Sequence, residues 1–153
     1  MDIDMIGPGI ILGMGCLGSS IGCGIACMAS HGVMARVEEG YGKFVGVSAV
    51  PSSQSIYGFI LMVLMKSSIR AGTLAPVAAI GIAISVGLAI MFSSIYQGMC
   101  AATAIQASAK KPAIFGKTLA SLAIVESFAL FAFVFALLII YWPFTPALGT
   151  VGL

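Results

Sequence analysis

Four long apolar runs, separated by short polar stretches, make up most of the chain. They lie at residues 5–29, 44–65, 77–107 and 115–141. A helix needs about 20 mostly apolar residues to cross a bilayer, and each run meets that length. Within them the apolar positions are nearly continuous, with no alternation typical of strands. The pattern predicts an all-α membrane protein with four transmembrane helices.

Proline and aromatic residues mark two of the predicted helix ends. Pro76 stands just before the third run, and proline suits a first helical turn because its missing amide proton is not needed there. Trp142, Pro143 and Phe144 follow the fourth run. Aromatic residues beside a proline are typical of a helix that ends at the membrane interface.

Composition agrees with the apolar pattern and excludes a soluble domain. Hydrophobic residues form 60% of the 153 residues and charged residues only 8%, whereas about a quarter of a globular protein is charged. The net charge of +2 is small and its bases are scattered, so no nucleic-acid partner is expected. The beginning of the chain lacks the basic stretch of a signal peptide, so we expect the first helix to be retained.

The loops differ in their number of basic residues. Five bases lie in the connections after the first and third runs or at the start of the fourth run, and the connection after the second run holds two. These are Arg36, Lys43, Lys110, Lys111 and Lys117 on one side, and Lys66 and Arg70 on the other. Because basic loops stay in the cytoplasm, loops 30–43 and 108–114 are predicted to be cytoplasmic, with both termini on the opposite side.

The four cysteines lie in apolar stretches and form neither a disulfide pattern nor a zinc motif. Cys23 and Cys27 share a helical face and could bind a soft metal. We favour the alternative, in which these small thiols pack between helices, because membrane helix interfaces are rich in small residues. No cofactor is expected.

The two halves of the chain repeat with a shift of 74 residues and no gap. Identical residues at this spacing include Ser19, Ser20 and Ile21 against Ser93, Ser94 and Ile95, and Gly42 and Lys43 against Gly116 and Lys117. Two copies of one unit in the same orientation form a parallel repeat. The chain is therefore interpreted as two helical hairpins, residues 1–74 and 75–153.

Small and bulky residues are divided between the helices of each hairpin. The first and third runs are rich in residues such as Gly13, Gly18 and Ser85, whereas the second and fourth carry residues such as Phe59 and Phe131. Small residues let helix backbones approach closely. This division fits an ordinary four-helix bundle with a small-residue seam. It fits equally a ring with slim helices inside and bulky helices outside.

Glu126 is the one acidic residue inside an apolar run; the others are Asp2, Asp4, Glu38 and Glu39, at the N-terminus or in a loop. A charge at a helix centre costs about 2.5 to 3.5 kcal/mol on insertion scales. Desolvation disfavours the bare anion, so a proton or a bound cation should neutralise it. Glu126 is therefore a candidate ion carrier. The alternative is a protonated side chain hydrogen-bonded for packing.

Polar residues are expected at the same depth as Glu126. Gln97 and Glu126 each lie 14 residues from the Lys111–Pro112 turn, so an antiparallel hairpin sets them level. The repeat maps Glu126 onto Ser52, whose polar neighbours are Ser53, Gln54 and Tyr57. This oxygen-rich set suits a hard cation such as sodium. A proton needs only the carboxylate, and burying two glutamines beside it costs free energy.

Four segments of the chain together resemble the proteolipid rotor subunit of V-type ATPases, which is called subunit K in bacteria and has counterparts in eukaryotes. They are residues 51–59, Tyr96–Gln97–Gly98, Ala109–Lys110–Lys111–Pro112 and residues 125–129. The resemblance implies a non-catalytic subunit that assembles with identical copies into a ring in the cell membrane, the inner membrane of a bacterium. The ring turns against a stator subunit that presents an arginine, and its cytoplasmic loops attach to a central stalk. Glu126 falls on the position of the family's essential carboxylate.

The chain is similar in particular to the sodium-translocating members of that family. The similarity implies that Ser53, Gln54 and Gln97 supply side-chain oxygens, that Val50 supplies a backbone carbonyl and that Tyr57 hydrogen-bonds the carboxylate.

Three residues depart from the commoner family pattern: Val50 replaces leucine, Ser53 replaces threonine and Phe128 replaces tyrosine, and none removes a ligand oxygen. Pro51 is expected to free a backbone carbonyl from helical pairing.

Other functions agree with parts of the sequence. The same rotor could carry protons instead of sodium. A small four-helix drug exporter also uses a membrane glutamate, although in its first span and without a duplication. A structural membrane protein would not need Glu126 for its function.

Overall fold

A computed structural model describes residues 3–142, and every regular element in that part of the chain is helical. The α-helices are α1 (Ile6–Met34), α2 (Tyr41–Ala49), α3 (Ser53–Arg70), α4 (Pro76–Lys110) and α5 (Phe115–Tyr141). Turns of 3-10 helix precede α1 at Ile3–Met5, join α2 to α3 at Val50–Ser52 and precede α5 at Pro112–Ile114. The helices form four segments long and apolar enough to span a membrane: Ile3–Met34, Tyr41–Arg70, Pro76–Lys110 and Pro112–Tyr141. The predicted four-helix membrane fold is confirmed.

The helices extend beyond the apolar runs from which they were predicted. The first run ends at residue 29, but α1 continues through His31 to Met34. Backbone hydrogen bonds sustain a helix past the edge of its apolar stretch until the chain must turn. The turn here contains Gly40, whose φ of 81° is a left-handed conformation that favours glycine.

Two predicted helix ends lie within the described residues. Helix α4 begins at Pro76, as expected, and α5 ends at Tyr141 with Trp142 extended. Pro143 and Phe144, which were predicted to complete that end, lie outside the described residues, as does Asp2.

The second span is not one continuous α-helix, because Pro51 interrupts it. Proline has no backbone N–H and so cannot bond to the carbonyl of Val47, four residues earlier. Instead the N–H of Val50 bonds to Val47, and the chain tightens into the 3-10 turn Val50–Ser52 before α3 begins. The 3-10 turn therefore changes the direction in which the first residues of α3 point.

Helices α1 and α4 run parallel and pack backbone to backbone. Gly7 lies against Ala79, Gly18 against Met91, and Gly22 against Gly98, so the contacts advance in the same direction along both helices. A methyl group added at Gly18 would lie 2.7 Å from the Cα atom of Met91. Close approach of this kind is possible only where side chains are very small. The predicted small-residue seam is present.

Helices α3 and α5 lie on the outside of this pair. Helix α3 crosses α1 closely, with Gly58 against the carbonyl of Ile11, and α5 packs along α4. Bulky side chains of α5 such as Ile124, Phe128 and Phe135 project from the single chain and are mostly exposed. Apolar exposure of this kind suits contact with lipid or with another apolar protein surface.

The close contact at Gly22 gives a test of the seam. In Gly22→Ala the added methyl group would collide with the Ser94 carbonyl and lie 2.9 Å from the Pro51 side chain. Overpacking costs about 1–3 kcal/mol, which exceeds the gain of up to ~1 kcal/mol from alanine's better helix propensity. We expect a lower unfolding temperature in detergent, followed by circular dichroism. Gly32→Ala in the same helix, where the methyl group meets nothing within 4 Å, is the matched control and should be neutral or slightly stabilising.

Candidate functional site

Glu126 is the only acidic residue in the five α-helices of the described chain, and it lies near the middle of α5. Both of its carboxylate oxygens are engaged by other helices. The Tyr57 hydroxyl on α3 donates a hydrogen bond to Oε1 at 3.0 Å. The Gln97 side-chain amide on α4 donates to Oε2 at 3.3 Å. Three helices therefore meet at one carboxylate.

The hydrogen bonds continue from Gln97 toward the beginning of α3. Gln54 donates its amide N–H to the side-chain oxygen of Gln97 at 3.0 Å. The Ser53 hydroxyl lies 3.1 Å from the side-chain oxygen of Gln54 and 3.3 Å from the carbonyl of Val50. All six residues predicted for the site are thus joined in one network, which we call the Glu126 network: Val50, Ser53, Gln54, Tyr57, Gln97 and Glu126.

Burial is uneven along the Glu126 network. Gln54 and Gln97 are fully buried, whereas Tyr57 and Glu126 are half-buried. The ring of Phe133 packs against that of Tyr57, with centroids 5.3 Å apart. The end of the network at Gln54 and Gln97 is therefore inaccessible to solvent, and the Glu126 carboxylate lies near the outer surface of the bundle.

The Val50 carbonyl is not left without a partner by Pro51. It accepts the backbone N–H of Ser53 and also lies within hydrogen-bonding distance of the Ser53 hydroxyl. The 3-10 turn explains this difference from the expectation, because it closes bonds between residues three apart. Ser52, the repeat counterpart of Glu126, is exposed and bonds to the carbonyl of Ala49, outside the Glu126 network.

Two adjacent serines of α4 hold the backbone around the site, and sequence reasoning did not assign them this role. The Ser94 hydroxyl donates to the carbonyl of Pro51 at 2.7 Å, and the Ser93 hydroxyl donates to the carbonyl of Val125 at 2.8 Å. They tie α4 to the start of the α3 segment and to the residue before Glu126. The sequence did single out these positions, since both serines recur in the repeat, but the repeat could not show which helices the two serines face.

The chemistry of the Glu126 network suits a small cation. It gathers one carboxylate, two amide oxygens, a hydroxyl, a phenol and a backbone carbonyl, all oxygen donors of the kind that hard cations prefer. The described residues contain no group of three or more His, Cys, Asp or Glu side chains that could hold a metal. Cys16, Cys23, Cys27 and Cys100 are all free thiols. The Glu126 network contains neither a thiol nor an imidazole, the ligands that suit copper and zinc.

The sequence profile for the ATP synthase subunit designated C matches the chain twice, over residues 6–65 and over residues 80–139. Corresponding ends of the two matches differ by 74 residues (80 − 6 and 139 − 65). The predicted duplication is therefore confirmed with the same shift.

Two curated relatives are similar over most of the chain. The A-type ATP synthase subunit K of Methanocaldococcus jannaschii is 37% identical over 135 residues, which is 88% of this chain and 60% of the relative. The V-type sodium ATPase subunit K of Enterococcus hirae is 28% identical over 126 residues, 81% of each chain. The chain thus spans less than two thirds of the archaeal relative's length.

Gln97 connects the two ends of the Glu126 network, so its removal should weaken the fold. In Gln97→Leu the Gln54 amide loses its acceptor and Glu126 loses a donor inside the membrane, and unpaired buried polar groups cost about 1–3 kcal/mol. We expect a lower resistance to unfolding in a denaturing-detergent titration. Gln106→Leu, an exposed glutamine of the same helix, is the matched control. Equal stability of the two variants would contradict a structural role for the network.

Proposed function

Because the chain belongs to this ATP synthase family, whose members are non-catalytic, ion-translocating rotor subunits, we propose that it is the ion-carrying subunit of a V/A-type ATPase membrane rotor. Identical copies would form a ring, and Glu126 of each copy would hold one transported ion. The observation that carries the proposal is the bonding of a single membrane carboxylate by donors from two other helices.

The geometry around Glu126 supports sodium as the transported ion. Tyr57 and Gln97 donate to different oxygens of the carboxylate, an arrangement suited to an anion. An anion at this depth needs a counter-cation, because an isolated charge is costly inside a bilayer. The oxygens of Ser53, Gln54 and Val50 lie close together, and Gln97 links Gln54 to the carboxylate, so these oxygens are available for a cation's coordination.

The name of one of the two relatives points in the same direction. The Enterococcus hirae relative is named as a sodium ATPase subunit, at 28% identity. The name of the archaeal relative, an A-type ATP synthase subunit, specifies no ion. Sodium is therefore the proposed cargo, and a proton on Glu126 is the alternative.

The proposed cycle follows from the need to keep Glu126 neutral. An ion would reach Glu126 from an aqueous half-channel at a stator subunit, pair with the carboxylate and travel around the ring screened from lipid. An arginine of the stator would displace it at a second half-channel, since a cation held by Coulomb attraction yields to a competing fixed cation. Ring rotation would be coupled to ATP hydrolysis or synthesis elsewhere in the complex.

The sidedness follows from the charge count. Loops 30–43 and 108–114, next to five of the seven bases, would face the cytoplasm and a central stalk subunit, with both termini across the cell membrane. Arg36 and the paired lysines Lys110 and Lys111 are exposed at that end of the bundle and available for contact with a stalk subunit.

Neutralising the carboxylate tests the carrier role. Glu126→Gln should abolish ATP-driven ion uptake by proteoliposomes containing the whole complex, because the amide can neither release a proton nor pair with a cation. The assembled complex should remain, because the amide keeps the shape of the side chain and its oxygen can still accept one of the two hydrogen bonds. Glu39→Gln, in an exposed loop, is the control and should transport normally. Undiminished uptake by Glu126→Gln would indicate a structural protein.

Carbodiimide labelling tests the choice of ion. Carbodiimides modify protonated carboxyl groups, so a bound cation should protect Glu126. In the purified wild-type complex, sodium should slow modification of Glu126, identified by mass spectrometry, and potassium at the same ionic strength should not. Protection should weaken as the pH falls, because protons then compete for the carboxylate. Labelling that is indifferent to sodium at every pH would assign the rotor to protons.

A further inference from the structure

The second span lacks one α-helical hydrogen bond beside the Glu126 network. In a continuous α-helix the N–H of Ser55 would bond to the carbonyl of Pro51, four residues earlier. Helix α3 begins only at Ser53, so this bond is not part of it, and the N–H groups of a first helical turn have no partner within their helix. We call the interval between the Pro51 carbonyl and the Ser55 N–H the backbone gap.

Two serines from different helices bond to the two ends of the backbone gap. The Ser55 N–H donates to the hydroxyl oxygen of Ser19, on α1, at 3.0 Å. The hydroxyl of Ser94, on α4, donates to the Pro51 carbonyl at 2.7 Å. Both serines are buried, with exposed fractions of 5% and 0%. Each end of the gap is therefore tied to a different neighbouring helix.

The glycines of α1 allow Ser19 to reach the backbone of α3. Gly15 and Gly22 lie one helical turn before and after Ser19. A methyl group added at Gly15 would lie 2.8 Å from the carbonyl oxygen of Gln54, and one added at Gly22 would lie 2.9 Å from the side chain of Pro51. Close contacts on both sides thus fix the distance between Ser19 and the gap.

The second half of the chain uses the equivalent serine differently. The repeat relates Ser19 to Ser93 and Pro51 to Val125, which lies within the uninterrupted helix α5. There the Ser93 hydroxyl donates to the carbonyl of Val125, and no N–H bonds to it in return. Of these two serines, only the one beside the proline accepts a backbone N–H. The bond between Ser19 and Ser55 therefore belongs to the backbone gap and not to the repeat.

The backbone gap encloses two residues of the Glu126 network. Ser53 and Gln54 lie within it, and the amide of Gln54 donates to Gln97. An α-helical bond across the gap would draw the Ser55 N–H to the Pro51 carbonyl and turn the residues between them. Groups that orient the ligands of a metal without touching the metal commonly set the affinity of its site.

We propose that Ser19 and Ser94 are positioning residues for the transported ion. By bonding to the two ends of the backbone gap they keep it open, and so keep Ser53 and Gln54 directed toward Gln97. Each serine acts through the backbone rather than by contact with the ion. This inference deepens the proposed function and rests on it for the role of Glu126 as the ion carrier.

Sodium protection of Glu126 tests the positioning role. Ser19→Ala and Ser94→Ala are made separately in the complete complex, and carbodiimide labelling of Glu126 is followed by mass spectrometry at increasing sodium concentrations. Each variant should need about ten-fold more sodium than the wild type for half-maximal protection, the lower end of the loss expected when an outer-shell partner of a metal site is removed. An unchanged midpoint in either assembled variant would overturn the proposal.

Ser30→Ala is the matched structural control. Ser30 is another buried serine of α1 that bonds to the second span: its hydroxyl donates to the carbonyl of Phe44 at 2.9 Å and lies 2.6 Å from the hydroxyl of Ser48. Loss of these buried bonds should lower the unfolding temperature, as in the other two variants. The sodium midpoint should not change, because these contacts precede the backbone gap. An equal shift in Ser30→Ala would show general loosening of the span and contradict a positioning role.

The double variant tests whether the two serines hold the same gap. Releasing either end lets the gap close, so Ser19→Ala combined with Ser94→Ala should have the sodium midpoint of the more affected single variant. Two independent contacts would instead multiply their effects, giving a shift of about a hundred-fold. A multiplied shift would overturn the shared gap.

The positioning role and the proposed ion can fail separately. Wild-type labelling that sodium does not slow would overturn sodium as the cargo, and the labelling rate in sodium-free buffer would then decide the role of the serines. That rate should rise several-fold in Ser19→Ala and Ser94→Ala but not in Ser30→Ala, because a carboxylate that Gln97 no longer engages is more accessible to the carbodiimide. Equal rates in all these proteins would overturn the positioning role and leave the rotor intact.

Discussion

The whole structure depends on keeping one carboxylate inside the membrane. A charge at this depth is expensive, and the polar neighbour of Glu126 on α5, Ser127, bonds to the carbonyl of Ile124 instead. The donors come from elsewhere: Tyr57 on α3 and Gln97 on α4. Gln97 is in turn held by Gln54, so the position of the carboxylate depends on how three helices pack rather than on any one of them. Their close packing is thus a condition for holding the carboxylate.

Two local features of the sequence make that packing possible. The glycines of α1 let α4 approach at backbone distance, which brings Gln97 and the serines beside it into the bundle. Pro51 interrupts the α-helix of the second span, and the 3-10 turn that contains it directs Ser53 and Gln54 inward at the level of Gln97. Ser94 then bonds to the carbonyl of Pro51 and holds the interrupted backbone against α4. Glycine and proline usually weaken a helix, but here the glycines allow the helices to approach closely and Pro51 sets the direction of the side chains that form the polar network.

The duplication supplied two equivalent hairpins, and later divergence gave them different roles. The second hairpin carries Glu126, and the first carries Ser52 at the matching position, turned away from the network. The donors of the first hairpin serve the carboxylate of the second, so neither hairpin holds the site by itself.

The sequence by itself determined the four spans, the shift of the repeat, the single membrane acid and the depth at which Gln97, Ser53, Gln54 and Tyr57 would lie. These follow from hydrophobicity and from distance along a helix, which are properties of each segment alone. Only the tertiary structure decided that α2 and α3 are separate helices, that the Val50 carbonyl is already paired, and that Ser93 and Ser94 hold the two neighbouring backbones. The rotation of each helix about its axis is set by close contacts such as that between Gly22 and Gly98, which involve residues far apart in the chain. The depth of a residue along its helix therefore follows from the sequence, whereas the neighbour that the residue faces is decided by packing.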